Sequence, residues 1–375
     1  MNVLHVGNTV LAVTHERGGA TERRIRELAA EQVRRGHTVT VVSAGPRSSL
    51  SQYMGFTHRV VRCWLPRPWR DLEFAFKVRL LMLGQAVDVV HVHSLLWGVP
   101  ILRTASWKLA FQYDFFRPAL SDRWVFYRLY RWFMGMPDVL MAVSEYCANE
   151  SALFYAMRRS RIHVLYNGVD EDAFCPDAER RERIRERLGL DGRRVVGYVG
   201  RFCEQKGSEV LLAAWERLRG ADDITLLVAG PGAHYGLDFD QDVADIIAGC
   251  GGIYLGAVPD SELADVYRAI DVQLMPTVRY EMFGMVAAEA MSCGTPLIAS
   301  DEGGLPEVVQ DPRFLCPVGR ADCFATSALR VLALDVQEHA HLSVAVREAA
   351  GKFSWQTITT RALELYTGGR SRYAA

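Results

Sequence analysis

Two carboxylates, Glu281 and Glu289, stand eight positions apart in the stretch RYEMFGMVAAEAM, residues 279–291. Pro276 should end a strand and Glu281 should lie in the loop after it. Phe283-Gly284 should start a helix that Gly294 closes. Glu289 then projects from the second turn of an otherwise apolar helix, where an unpaired buried carboxylate is costly. Were both acids helical, they would lie ~12 Å apart along the axis. Between them is a helix N-terminus, whose N–H groups and dipole favour phosphate, and a glycine that lets an anion approach the backbone. This suits a molecule with hydroxyls at both ends and a diphosphate between: sugar hydroxyls at Glu281, ribose hydroxyls at Glu289. The plain alternative is a pair of solvated acids; the apolar setting of Glu289 speaks against it.

A second element, GRFCEQKG (200–207), follows an apolar run directly. Arg201 and Lys206 emerge at that strand end and can neutralise a diphosphate leaving group as its charge develops. Only four of the 43 basic residues are lysine, so a lysine inside this motif stands out from two ordinary surface cations. A third element, Gly18-Gly19-Ala20, leads into a helix N-terminus and offers a phosphate or acceptor site. It is not GxGxxG, so NAD or FAD is not signalled. In DVVHVHS, His91 and His93 alternate on a strand and share a face. No third metal ligand is evident beside them. A packed histidine is the commonest fate of either, and His93, nearer the strand's carboxyl end, is the one to hydrogen-bond a sugar. The acidic triplets at 170–172, 238–240 and 240–242 should be solvated turns. No metal and no bound cofactor is expected.

The elements that must position these residues alternate strand and helix. NVLHVG, HTVTVVSAG, DVVHVHS, WKLAFQYD and DVLMAVS read as buried strands, and ATERRIRELAAEQVRRG as an amphipathic helix capped at Gly36. RIHVLYNG is a further strand. The run DAERRERIRERLGL reads as a solvated helix leading out of the first domain. A second series follows, with strands RRVVGYVG, ITLLVAGPG, IYLGAVP, DVQLMPT and TPLIAS. The expected fold class is α/β, with two doubly wound Rossmann-like domains facing across a cleft. Residues 1–172 with 354–375 would form the first domain and 173–353 the second. Loops are expected at 46–70 and 94–122. The stretch DRWVFYRLYRWFMGMP (122–137) should be a packed helix with an aromatic inner face and solvated arginines, the alternative being a membrane-surface helix.

Bulk properties narrow the function. The formal net charge of -1 gives no basic surface for nucleic acid. The eight cysteines form no CxxC pair, so reduced thiols are expected, with neither a zinc site nor a disulfide framework. No secretory leader and no apolar run of about 18 residues are found, which suggests a cytoplasmic protein with at most peripheral membrane contact. Oligomeric state leaves no mark in the sequence.

Taken in order, GGATE, HVHS, LYNGVD, VGRFCEQKG, VAGPG, YEMFGMVAAEAMSCGTPLIAS and GGLPEVV resemble the retaining nucleotide-sugar glycosyltransferases of the GT-B fold, group four. The closing FSW and its helix are similar to the family's crossover back to the first domain. The resemblance implies that Glu281 lies by the donor sugar and its anomeric centre. Phe283, Gly284, Met285 and Val286 would offer backbone to sugar and phosphates, and Glu289 would bind ribose. Arg201 and Lys206 would hold the diphosphate, Gly19 would approach the phosphate, and His93 would contact the donor sugar. It implies front-face substitution, with a hexose or N-acetylhexosamine passing from a nucleoside diphosphate, UDP by default, to a hydroxyl. The acceptor would be a small natural product or an envelope glycan or lipid. The strong preference for arginine over lysine points to a GC-rich bacterium. Tyr113-Asp114 replaces the family's frequent His-Asp pair, which bears on acceptor choice. A sugar-nucleotide 2-epimerase and a non-catalytic sugar-nucleotide-binding subunit are the alternatives.

Overall fold

The computed structural model describes residues 1–9, 13, 19–66, 69–114, 123–220, 223–234 and 237–368. The chain divides into two compact units, Met1–Gly168 together with the chain from Trp355 onward, and Val169–Ser354.

The first unit is built on β1 (Asn2–Val6), β2 (Thr38–Gly45), β3 (Ser49–Tyr53), β4 (Phe56–Arg62), β5 (Val89–His93), β6 (Lys108–Tyr113), β7 (Val139–Ala142) and β8 (Ile162–Val164). They form one sheet in the order β3-β4-β2-β1-β5-β6-β7-β8. Every pairing is parallel except β3 with β4. The central strands are buried along their whole length, which is why VVHVH and KLAFQY read as apolar runs rather than as alternating ones. The helix Ala20–Arg34 covers one face with Ile25, Leu28 and Ala29, and the closing helix Trp355–Thr367 joins it there through Ile358, Ala362 and Leu365. Each such Ile or Leu contributes about 1.5–3 kcal/mol by leaving water.

The expected loop at 46–70 is instead a hairpin, β3–β4, followed by the helix Trp69–Leu81. Its mostly polar SLSQY is an edge strand with little burial, so no hydrophobic period announces it. The helix Trp124–Gly135 buries Tyr130, Phe133 and Met134 and exposes Arg128 and Arg131, as its spacing predicts. It also exposes Trp124 and Trp132.

The second unit carries β9 (Arg194–Val199), β10 (Ile224–Ala229), the hairpin β11 (Ala233–His234) and β12 (Leu237–Asp238), β13 (Ile253–Tyr254), β14 (Val272–Met275), β15 (Leu297–Ser300) and β16 (Leu315–Cys316). All but the hairpin pair in parallel, in the order β13-β10-β9-β14-β15-β16. The chain runs outward from β9 to β10 and β13, then returns to β14 on the other side of β9. That reversal opens a crevice at the carboxyl ends of β9 and β14. In the first unit the same reversal falls between β1 and β5. IYLGAVP contributes only two strand residues.

Cys316 and Cys323 are joined in a disulfide, which corrects the expectation of reduced thiols throughout; the other six cysteines are free. A strand residue and a residue in the first turn of the next helix meet there without a CxxC spacing. Among the described residues no helix is long and apolar enough to cross a membrane.

Candidate functional site

The crevice between β9 and β14 receives both motifs that the sequence singles out. After β9 the chain makes a 3-10 turn, Glu204–Lys206, and then the helix Ser208–Leu218. Gly207 between them has φ 78, and a Cβ there would lie 1.9 Å from the Pro276 carbonyl oxygen, so only glycine lets this turn close on the end of β14. The Val278 N–H donates to the Gln205 carbonyl at 3.0 Å and fixes the second loop to the first. Lys206 Nζ then reaches Glu281 Oε2 at 2.6 Å, although 75 residues separate them. Both groups are largely buried, so removing one leaves the other charged and unpaired. Arg201 is exposed at the same strand end and, among the described residues, has no carboxylate partner.

The helix that follows runs Met285–Ser292 with Gly284 as N-cap at φ 103, and no side chain caps it and no acid stands in its first turn. Its N-terminus thus presents uncompensated positive dipole. Phe283 is buried edge-on against Phe353 at 5.2 Å, which anchors the backbone of the preceding loop. Met285 and Val286 form the half-buried first turn. Glu289 lies in the second turn, 2% exposed, and its Oε2 accepts from the Tyr267 hydroxyl at 2.9 Å. Tyr280, just before Glu281, holds φ 64, a left-handed conformation that a bulky residue adopts only where the surroundings impose it. The loop Gly303-Gly304 is the support: a Cβ on Gly303 would sit 2.0 Å from the Glu281 carbonyl oxygen, and Gly304 N–H donates to that oxygen at 2.8 Å.

In the first unit Gly19 caps the helix Ala20–Arg34. Its N–H is taken by Glu22 Oε2 at 2.9 Å, so a carboxylate already occupies the place expected for phosphate. Gly18 and the stretch 115–118 lie outside the described residues. His93 is fully buried. Its Nε2 meets His5 Nδ1 at 2.9 Å, its ring lies 3.9 Å from that of His91, and its Nδ1 has no protein partner. At the carboxyl edge of this sheet Asp114 accepts from Thr21 at 2.5 Å and Ser94 at 2.6 Å, with Arg24 3.8 Å away. Ser94 also holds a positive φ, 51. Tyr113 points its ring into the core, 1% exposed, so Asp114 rather than Tyr113 presents the polar group at this edge. The sequence hid this cluster because its members come from three separate segments.

His5, on β1, supplies the third imidazole that the sequence did not reveal, and with His91 and His93 it forms a group of metal-ligand geometry. The environment fits a cation poorly. Both His5 nitrogens are engaged, by His93 and by Gln32, and the buried Arg24 guanidinium adds positive charge. Burial pushes all three imidazoles below their ordinary range, His5 to about 4. Of the acidic triplets, Asp170 closes a local turn through Asp172 and Ala173 N–H. Asp240 opens a helix rather than sitting in a loop and accepts from Gly232 N–H and the Tyr254 hydroxyl, which hold it below the usual carboxylate range.

Comparison with known proteins adds three findings. Residues 193–334 match the family described as Glycosyl transferases group 1, and residues 18–173 match Glycosyltransferase Family 4. The chain is 32% identical to a D-inositol 3-phosphate glycosyltransferase of Mycobacteroides abscessus, over 94% of this chain and 85% of that protein. It is also 32% identical to a GDP-mannose-dependent alpha-(1-6)-phosphatidylinositol monomannoside mannosyltransferase of Mycolicibacterium smegmatis, over 62% of this chain and 63% of that one. Among solved structures, sucrose-phosphate synthase of Thermosynechococcus elongatus superposes with a TM-score of 0.78 at 22% identity, covering 98% of each chain, a likeness of fold.

Proposed function

The chain belongs to the GT-B glycosyltransferases of the group 1 and family 4 type, and from that premise we propose that it moves a hexose or N-acetylhexosamine from a nucleoside diphosphate to a hydroxyl acceptor with retention. The observation that carries this reading is the Lys206–Glu281 pair at the β9–β14 crevice, beside a helix start that no side chain caps. Lys206 and Arg201 neutralise the diphosphate, the first turn from Met285 and Val286 binds it through backbone N–H groups, and Gly284 lets it approach. Glu281 orients sugar hydroxyls near the anomeric carbon, and Glu289 grips the ribose. The anomeric C–O bond to the diphosphate breaks as the acceptor oxygen bonds the same carbon from the same face. The departing phosphate oxygen takes the acceptor proton.

UDP is the default nucleotide. GDP is the second reading, favoured by the GDP-mannose-dependent relative. The first unit takes the acceptor, where Asp114 with Thr21, Ser94 and Arg24 suits a polyol. Two relatives whose names carry an inositol support a cyclitol or a cyclitol lipid. Metal has no part, because two cations of the protein stand at the leaving group. The compartment we propose is the cytoplasm.

Incubating the chain with labelled UDP-glucose, UDP-N-acetylglucosamine or GDP-mannose, with and without inositol phosphates and with EDTA, tests this. Transfer that needs the acceptor, survives EDTA and yields the donor's own anomer is expected. Conversion of donor alone to its 2-epimer would replace this reading with an epimerase, and no turnover of any donor would favour a binding subunit.

A further inference from the structure

The helix Trp124–Gly135 takes no part in the site above, yet its surface is unusual. The chain has eight tryptophans, and four are strongly exposed: Trp64 at 67%, Trp69 at 60%, Trp124 at 68% and Trp132 at 60%. All four lie in the first unit, between positions 64 and 132. Tryptophan carries a large apolar area that folding ordinarily covers.

Trp124, Val125, Arg128, Arg131 and Trp132 fall at offsets of 0, 1, 4, 7 and 8, one stripe of a helix, and all are exposed. The Arg128 guanidinium lies 4.9 Å over the Trp124 ring. From Arg123 to Pro137 the sequence holds no acidic residue. A groove of about 780 Å³ runs along this face, lined by Arg103, Tyr127, Arg128, Arg131 and the two tryptophans. The helix Trp69–Leu81 shows a second stripe: Trp69, Phe76, Leu80 and, just past its end, Leu83 are exposed. Before it, Arg62 stacks 3.7 Å over Trp64. Both helices pack on the same turn, Leu96–Gly98, whose Trp97 meets Phe126, Tyr130 and Phe133 edge-on.

We propose that this face docks on the surface of a bilayer bearing anionic lipid headgroups. Tryptophan has an apolar body with one polar tip and settles at the headgroup level, while arginines beside it reach the lipid phosphates. The whole chain, at a net charge of -1, supplies no general basic attraction, so the arginines of this stripe must provide it. The two arginines stand together in the middle of the stripe with a tryptophan at either end and no acid among them, so the face offers anionic headgroups two cations between apolar anchors. The inference does not depend on which nucleotide or acceptor the enzyme uses.

The test is co-sedimentation of the full chain with vesicles of phosphatidylcholine alone and of phosphatidylcholine with phosphatidylglycerol at 7:3. Binding is expected to the anionic vesicles and at least about thirty-fold less to neutral ones, with tryptophan emission quenched by brominated lipid. The double variant Arg128→Gln, Arg131→Gln should lose partitioning by roughly thirty-fold, and Trp124→Ala, Trp132→Ala should lose the quenching. Unchanged circular dichroism and nucleotide binding would show that the variants fold. Absent vesicle binding, or equal binding by folded variants, overturns the proposal. So does a loss of self-association in those variants without lipid, which would make the face a contact between copies.

Discussion

Mild acid should destabilise the first unit through its buried imidazoles. His5, His91 and His93 are fully buried, and burial, with Arg24 adding to it, holds each below its ordinary value. His5 is brought from 6.5 to about 4, its bond to Gln32 opposing the shift. In the unfolded chain each returns to about 6.5. Between these values the unfolded state binds more protons than the folded one, so stability is lost as pH falls through that window. Going from pH 7 to pH 5.5 should therefore cost about 1.2 kcal/mol through His5 alone. If His91 and His93 also stay neutral, the three together cost about 4 kcal/mol, a sizeable part of the roughly 5–15 kcal/mol that a domain has. Urea unfolding at pH 7.0 and 5.5 measures this, and His5→Gln should remove about a third of the difference. A free energy of unfolding that stays constant over this range, within about 0.5 kcal/mol, would refute the claim that these rings are held neutral.

Two further perturbations probe the second unit. Gly303→Ala should displace Glu281, since the new methyl would meet the Glu281 carbonyl at 2.0 Å on a backbone with φ 60; the expected cost is about 1–3 kcal/mol in stability with most of the transfer lost, seen in a melting curve and an initial rate. Tyr267→Phe removes the donor to buried Glu289 and should cost about 1–3 kcal/mol while raising the donor KM more than it lowers kcat, whereas an unchanged KM would separate Glu289 from the ribose.

The strands and the motif helices were legible because their signals are local. VVHVH, RVVGYV and LIAS are apolar runs bounded by turns, and Gly284 and Gly294 punctuate the helix that carries Glu289. The order of the strands places GRFCEQKG and YEMFG at one crevice, which a sequence can suggest only through the rule for doubly wound sheets. What stayed hidden depends on long-range approach. Tyr267 reaches Glu289 from another helix, and His5 completes the imidazole group from 88 positions before His93. Cys316 and Cys323 meet through a turn geometry that spacing alone does not encode. The edge strand Ser49–Tyr53 shows no core face to betray it. Gly19 stands at the helix start as expected, and its local motif does not disclose that Glu22 reaches back to its N–H.

Calorimetric titration of the wild type and of Lys206→Ala with UDP, GDP and ADP tests the central claim most directly. One nucleotide should bind the wild type, and the variant should bind it roughly ten- to a hundred-fold more weakly, the worth of a charged hydrogen bond to phosphate. Equal affinity in the two proteins would contradict the placement of the diphosphate beside Lys206 and Glu281.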